Sequence, residues 1–352
     1  MVALIALLSA LLGWMLLLNM AVWTGLIAWA ASGEHRMSTV DVAYESGWAL
    51  WPTRVHVRDL RLRIDGYRYQ LELTVPAGTV DVSLPELLSR RFHARRITGE
   101  GVRAIVRTKA REGARSAARE EAFGSIAGLD APVLDAEPPN LPPLDEAWEV
   151  EIDALDAHVV ELWVNELHFE DLDARASGGL RAQVGHFFAV DGARLSLRDG
   201  TLVIAGEPLA DGLSGEVTGD IDGFDPYGEE GTTALEELSS EVQLDAHVLS
   251  LAALEPVLPS DGPVWLAGGA GSLSVRAGVD DGALTPGSGI DYKTRALRVR
   301  GSELRGRARA HGSLTVSGAS ASPRARLALT LERVRVHAGE SDDGEAAIVA
   351  ET

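Results

Sequence analysis

Few of the side chains able to do chemistry stand in a pattern that chemistry can use. Gly219-Asp220-Ile221-Asp222-Gly223-Phe224-Asp225-Pro226-Tyr227-Gly228-Glu229-Glu230 comes nearest to a calcium loop. Its third acid falls one position late, and Asp225 stands where the sharp turn of such a loop needs glycine. It reads as a solvated, Asx-rich turn. His158, His168 and His186 lie near Glu161, Glu166 and Glu170, but strand spacing scatters them over both faces in no metal-ligand pattern. Ser214 has Gly212 two residues before it and Glu216 two after, so it is no nucleophile elbow. Gly268-Gly269-Ala270-Gly271 lacks the strand-to-helix setting and the third glycine of a dinucleotide loop. With no cysteine in 352 residues, thiolate metal sites, iron–sulfur clusters, disulfides and cysteine nucleophiles are excluded. The expectation is a protein with no catalytic residue, no metal and no cofactor.

The strongest local charge cluster is Arg90-Arg91-Phe92-His93-Ala94-Arg95-Arg96. It is either the solvated end of a short helix or a contact for anionic headgroups made by Arg90, Arg91, Arg95 and Arg96. The chain as a whole is acidic, with 52 acidic against 32 basic side chains and a net charge of −20. That argues against nucleic acid as a partner, since phosphate binding draws on clustered cations. The imbalance is uneven. Residues 1–120 hold 16 basic and 11 acidic side chains, whereas residues 121–352 hold 16 and 41.

The elements that would carry these groups begin with Met1–Gly33, an apolar stretch with no charged side chain. A bilayer core takes roughly 20 apolar residues of helix, so this stretch reads as an uncleaved transmembrane signal anchor even with Asn19 and Thr24 inside it. A cleaved secretory signal ending at Ala28-Trp29-Ala30 is the alternative, but its apolar region would run only about 7–15 residues. The short N-terminal flank predicts an inner-membrane anchor with the body in the periplasm. Trp48 and Trp51 follow, either as an interfacial belt or as simple packing.

Beyond the anchor the sequence reads in strands. Val55 and Val57 alternate with charge, then Leu60, Leu62 and Ile64 do so in the opposite parity, which predicts a bulge or bend between them. Tyr69, Leu71, Leu73 and Val75 form one face of the next run, and Val80, Val82 and Leu84 another. Leu84–Phe92 reads as a short helix. Residues 38–109 thus make a membrane-proximal β unit. Residues 110–147, charged and then rich in proline, read as a linker, 148–338 as a β-rich body with one helix at Leu249–Leu258, and 339–352 as a disordered acidic tail.

About 14 to 16 strands with hardly any helix leave one apolar face per strand to be covered. Two solutions remain. One is a β-sandwich, which would suit a non-enzymatic structural or adaptor protein of the envelope, although aromatics are only 5% of the chain. The other is a mainly β chain in which a long, curved antiparallel sheet, with few short helices, forms an apolar groove on the order of 70 Å long. Its lining would include Val55, Val57, Leu60, Leu62, Leu71, Leu73, Val80 and Val82.

The order of an apolar anchor, then Ser46 to Leu62 (SGWALWPTRVHVRDLRL), then Val80 to Val102 (VDVSLPELLSRRFHARRITGEGV), resembles the start of AsmA-like proteins. In that family an anchor feeds strands of the form P-x-x-V-x-V-x-x-L-x-L, followed by V-x-V-x-L-x-x-L-L and I-x-x-G-x-G-V. The resemblance is clearest over residues 1–107, and this chain is shorter than many relatives. It implies a groove-shaped periplasmic protein that binds or conducts membrane phospholipid toward the outer membrane or supports envelope maintenance. Other envelope proteins or further copies of itself are the expected partners.

Overall fold

A computed structural model describes residues 19, 33–35, 38–51, 53–83, 86, 89–115, 117–134, 140–225, 236–257, 264–301, 304–317, 324–338 and 346–350. Most of the expected anchor, residues 84, 85, 87 and 88 of the expected helix and most of the acidic tail lie outside them; Arg91 and Phe92, expected to end that helix, are strand instead. Among the described residues, no helix is long and apolar enough to cross a membrane.

Alternation of apolar and polar residues sets most of the chain in strands. The first are β1 (Gly33–His35), β2 (Ser38–Ala43), β3 (Ser46–Trp51), β4 (Arg54–Gly66), β5 (Tyr69–Val82) and β6 (Arg91–Thr108). A short helix, α1 (Ala117–Glu121), precedes β7 (Glu149–Val164), β8 (Leu167–Gln183), β9 (Phe187–Ile204), β10 (Glu207–Phe224) and β11 (Leu238–Val248). A 3-10 helix at Leu251–Val257 falls where the sequence places a helix, and leads to β12 (Val264–Gly268) and β13 (Gly271–Asp280). The chain closes with β14 (Ala283–Leu284), β15 (Gly289–Gly301), β16 (Leu304–Ser317), β17 (Arg324–Ala338) and β18 (Ala346–Ala350).

All eighteen strands belong to one large curved sheet. Among the described residues there is no second sheet to close a sandwich. Nearly every pairing is antiparallel, as expected, with one difference: β6 and β7 run parallel, from Arg91↔Glu149 to Val106↔Val164. A parallel pair needs a crossover of a dozen or more residues to carry the chain back to its starting end. Residues 109–148, which contain the stretch 110–147 read from sequence as a linker, are that crossover. Phe123, Ile126 and Ala147 are buried in it, and Gly124 sits so close to Trp163 that a Cβ there would meet the indole at 2.8 Å. Because β6 and β7 are hydrogen-bonded, residues 38–109 and 148–338 share a single sheet.

The strands are bent along lines that cross the sheet. The parity switch in β4 falls at Asp59, which has φ 50°. It stands beside Pro76 of β5, next to Gly101 of β6 with φ 70°. The same line continues as register shifts at Val159/Leu162 in β7, at Glu170/Asp173 in β8 and at Asp211/Ser214 in β10. A second line runs through Asp81/Val82, Ile152/Leu155, Ser177/Gly179 and Gly219/Ile221. Each bulge turns its strand and flips the side-chain parity. The apolar residues of β7 flip with it: Val150 and Ile152, then Leu155, Ala157 and Val159, then Leu162 and Val164. They therefore stay on one face through both bends.

Candidate functional site: an apolar face twelve strands long

Ladder partners lie side by side on one face of a sheet, so a row of partners can be followed from strand to strand. One such row is Leu62–Leu73–Ala104–Leu162–Phe169–Leu202–Ala210–Val248–Gly271–Thr294–Ala310–Leu331, an unbroken set of pairs across twelve strands. Ten of the twelve side chains are apolar, and Gly271 has none. The exception, Thr294, is buried with its hydroxyl donating to the Ala270 carbonyl at 2.5 Å. At ~4.8 Å a strand the row is about 53 Å long.

Two more rows run beside it. Val102–Val159–Ala174–Leu197–Gly215–Leu244–Val275–Ile290–Leu314–Leu327 is joined at its near end by Leu60 and Val75. Val57–Gly78–Gly99–Ala157–Ala176–Leu195–Val217–Val242–Ala277 lies on its other side. The glycines in these rows mark close approach of the neighbouring strand. A Cβ at Gly215 would stand 2.0 Å from the Gln243 carbonyl oxygen, and one at Gly271 equally close to that of Lys293.

The residues between the rows point the other way and are charged. Arg63 meets Glu72 at 2.7 Å, Arg194 meets Glu216 at 2.9 Å and Arg181 meets Asp191 at 2.9 Å. The sheet is thus amphipathic over its whole length, one face greasy and the other laced with cross-strand ion pairs.

Along the apolar face the cover changes. Val75, Val102, Ala157, Val159, Leu172 and Ala174 form a continuous buried cluster with Leu60, Leu73, Leu195 and Leu197 against it. Further on, Leu251, Ala253 and Leu254 of the 3-10 helix pack on Ile204, Leu209, Ala210 and Val248. At the far end nothing described covers Leu327, Leu329 and Leu331, which are 75%, 59% and 37% exposed.

The residues named from sequence as a groove lining fall into place as follows. Leu60, Leu62 and Leu73 belong to the two long rows, and Val57 to the third. Val55 and Val80 pair with each other and continue to Ile97, Leu155 and Gly178. Leu71 pairs with Ile64 and Val106 at one rim, and Val82 with Ala94 at the other. All eight lie within β4 and β5. The sequence reading missed the far longer part of the face, whose residues come together only through long-range register.

The four arginines separate. Arg91 faces Glu86 at 3.4 Å and Glu149 at 3.7 Å, and is hydrogen-bonded to Glu151, which holds its guanidinium above the ordinary arginine value. Arg96 pairs with Asp156 at 3.8 Å. Arg90 and Arg95 are exposed and form no ion pair among the described residues.

Beside Arg91 lies an arrangement that spacing does not show. His93 Nδ1 meets Glu86 at 3.0 Å and its Nε2 meets Asp153 at 3.1 Å, because the parallel register sets His93 opposite Glu151. Hydrogen bonds to Glu86 and then Asp153 raise the imidazole above its usual value. Glu86 is lowered by its bond from Ser83 and then by His93. His93, Glu151 and Asp153 have ligand atoms close enough to hold a metal ion, but Arg91 already engages Glu151. The histidines weighed from sequence have separate partners: His158 faces Glu100 and Asp173, His168 stacks on Trp163 beside Glu161, and His186 bonds the Pro142 carbonyl. Gly219–Phe224, the first half of the acidic loop, is strand, and Asp220 accepts from the Gly192 amide at 2.5 Å.

Comparison with known protein families finds no match, and none of the curated proteins matches the chain.

Proposed function

We propose that this chain is a membrane-anchored periplasmic protein that binds or conducts phospholipid acyl chains along the apolar face of its sheet. The observation that carries the reading is the unbroken ladder row from Leu62 to Leu331. Among the described residues no second sheet lies on this face, and a face that stays apolar over about 53 Å must bend over itself or be covered by something apolar. Residues such as Ala174, wholly buried on a single-layered sheet, support a concave face whose walls shelter its floor. The two bend lines give the sheet the corners that such a groove needs.

The resemblance of residues 1–107 to AsmA-like proteins points the same way, toward lipid transport or envelope maintenance without catalysis. Met1–Gly33 is the anchor in this reading, and headgroup contact near it falls to Arg90 and Arg95, since Arg91 and Arg96 are spent on carboxylates. A lipid leaving the bilayer would enter over the apolar face of β4 and β5 and travel across the strands without crossing water. Phospholipid extracted from the purified full chain, and its transfer between donor and acceptor liposomes, test the reading. A delipidated chain that neither takes up nor moves lipid overturns it.

A further inference from the structure

The far end of the sheet carries a second feature that the net charge conceals. Residues 289–338 hold eleven basic against three acidic side chains, whereas residues 121–288 hold five against thirty-three. The reading of the whole distal half as acidic averages over this reversal. The cations are placed against one another: Arg298 of β15 is the ladder partner of Arg307 of β16, and Arg307 that of Arg335 of β17. Two residues along, Arg300 pairs with Arg305. All five lie on the charged face, with Arg298, Arg300, Arg307 and Arg335 exposed.

Like charges set directly opposite destabilise a ladder. Elsewhere on this face the sheet opposes arginine with carboxylate, as at Arg63–Glu72. On the reverse side of β17 lie the three exposed leucines. A strand with guanidinium groups on one side and bare leucines on the other suits a boundary that offers phosphate and hydrocarbon together.

We propose that β15–β17 form a docking surface for an anionic phospholipid bilayer. The arginines neutralise headgroup phosphates and the leucines enter the boundary with the acyl chains. Nucleic acid would satisfy the arginines but not the leucines, and residues 121–288 would repel it. This docking is separate from lipid passage along the sheet, because it needs acyl chains only at Leu327, Leu329 and Leu331 and none along the rest of the apolar face.

The test is flotation of the full chain, held in solution by an uncharged amphipol, with phosphatidylcholine vesicles that either contain or lack phosphatidylglycerol. The difference between the two vesicle types removes any contribution of the apolar N-terminus. The chain should float preferentially with phosphatidylglycerol and lose that preference at high salt. The R298Q/R300Q/R307Q/R335Q variant should weaken it at least about tenfold, while R181Q/R194Q, at arginines of the same face that are paired with Asp191 and Glu216, leaves most of it in place. Should the fourfold variant not fold, R298Q/R335Q, matched to wild type by circular dichroism, serves with a smaller loss expected. Equal flotation with both vesicle types overturns the proposal, as does a folded variant that floats like wild type. Salt-sensitive self-association that the variant abolishes while vesicle binding persists would also overturn it, and assign the arginines to the acidic middle of a second copy.

Discussion

Leu62 on β4 and Leu331 on β17 are members of one ladder row, although 269 positions separate them in the sequence. Each step between them is a hydrogen-bonded strand pair. The face on which they lie therefore keeps one orientation across the sheet, and a bulge in any strand must be matched in its neighbours to preserve it.

That matching predicts sensitivity at the row glycines. Gly215 has φ 145°, so Gly215→Ala carries a backbone penalty and also drives a Cβ into the Gln243 carbonyl oxygen, which should cost a further ~1–3 kcal/mol as overpacking. Gly206→Ala, at a hairpin turn where nothing lies within 4 Å of the added carbon, carries only the left-handed backbone penalty of roughly 1–2 kcal/mol. Denaturant unfolding of the two variants should rank them in that order, and a larger loss at Gly206 would argue against the register of β10 and β11.

Asn19 sits in the apolar N-terminal run, yet both ends of its side-chain amide bond the backbone of the edge strand β3. Its Oδ1 accepts from the Ala49 amide and its Nδ2 donates to the Ala49 carbonyl, both at 2.8 Å. Ala49 is buried, so Asn19→Leu strands two backbone groups and should destabilise the contact by about 1–3 kcal/mol. Hydrogen exchange at the Ala49 amide should quicken in the variant. Unchanged protection would mean that water or another group satisfies it.

The His93 clasp predicts a pH dependence. An imidazole raised in the folded state contributes stability that is fully present below its unfolded value near 6.5 and is lost as pH rises through the higher folded value. Thermal midpoints of the native chain should therefore fall across that window, and those of His93→Gln should fall less. Glu86 behaves oppositely: lowered by Ser83 and then His93, its contribution is lost only as pH falls through its depressed value. Identical slopes for the native chain and His93→Gln would show that the clasp carries no linked proton.

The parts of this fold legible in the sequence are those that depend on neighbours in the chain. Alternation gave the strands, and the switch from Val57 to Leu60 marked the bend at Asp59 because parity is a local property. The rest rests on pairing. That Arg298, Arg307 and Arg335 oppose one another follows from the registers of β15, β16 and β17, which no window of sequence contains. The His93–Asp153 contact likewise needs the parallel β6–β7 pair. A run of prolines and charges at 110–147 gives no sign of whether it separates two units or, as found, returns the chain to pair in parallel. The eight residues named as a groove lining were found in β4 and β5 because those strands alternate most cleanly. In β8 and β10, glycine, alanine and repeated bulges blur the period.

The apolar face should also reject charge. Leu244→Asp places a carboxylate in the middle of the second row, whereas Gln243→Asp alters the opposite face of the same strand. In liposome transfer the first should slow lipid movement at least about tenfold, since acyl chains passing over an unpaired carboxylate would desolvate it at a cost of several kcal/mol. The second should transfer like wild type. Equal effects would place the lipid away from this face.

The most direct measurement is site-specific photocrosslinking of the full chain in lipid-containing membranes. A photoreactive residue is placed in turn at Leu62, Leu162, Leu244 and Leu273 on the apolar face, and at Thr74, Gln243 and Ser274 on the charged one. Phospholipid adducts should form at all four apolar positions, along the length of the row, and at none of the three others. Adducts at Leu62 alone, or equally on both faces, would contradict a continuous lipid path across the sheet.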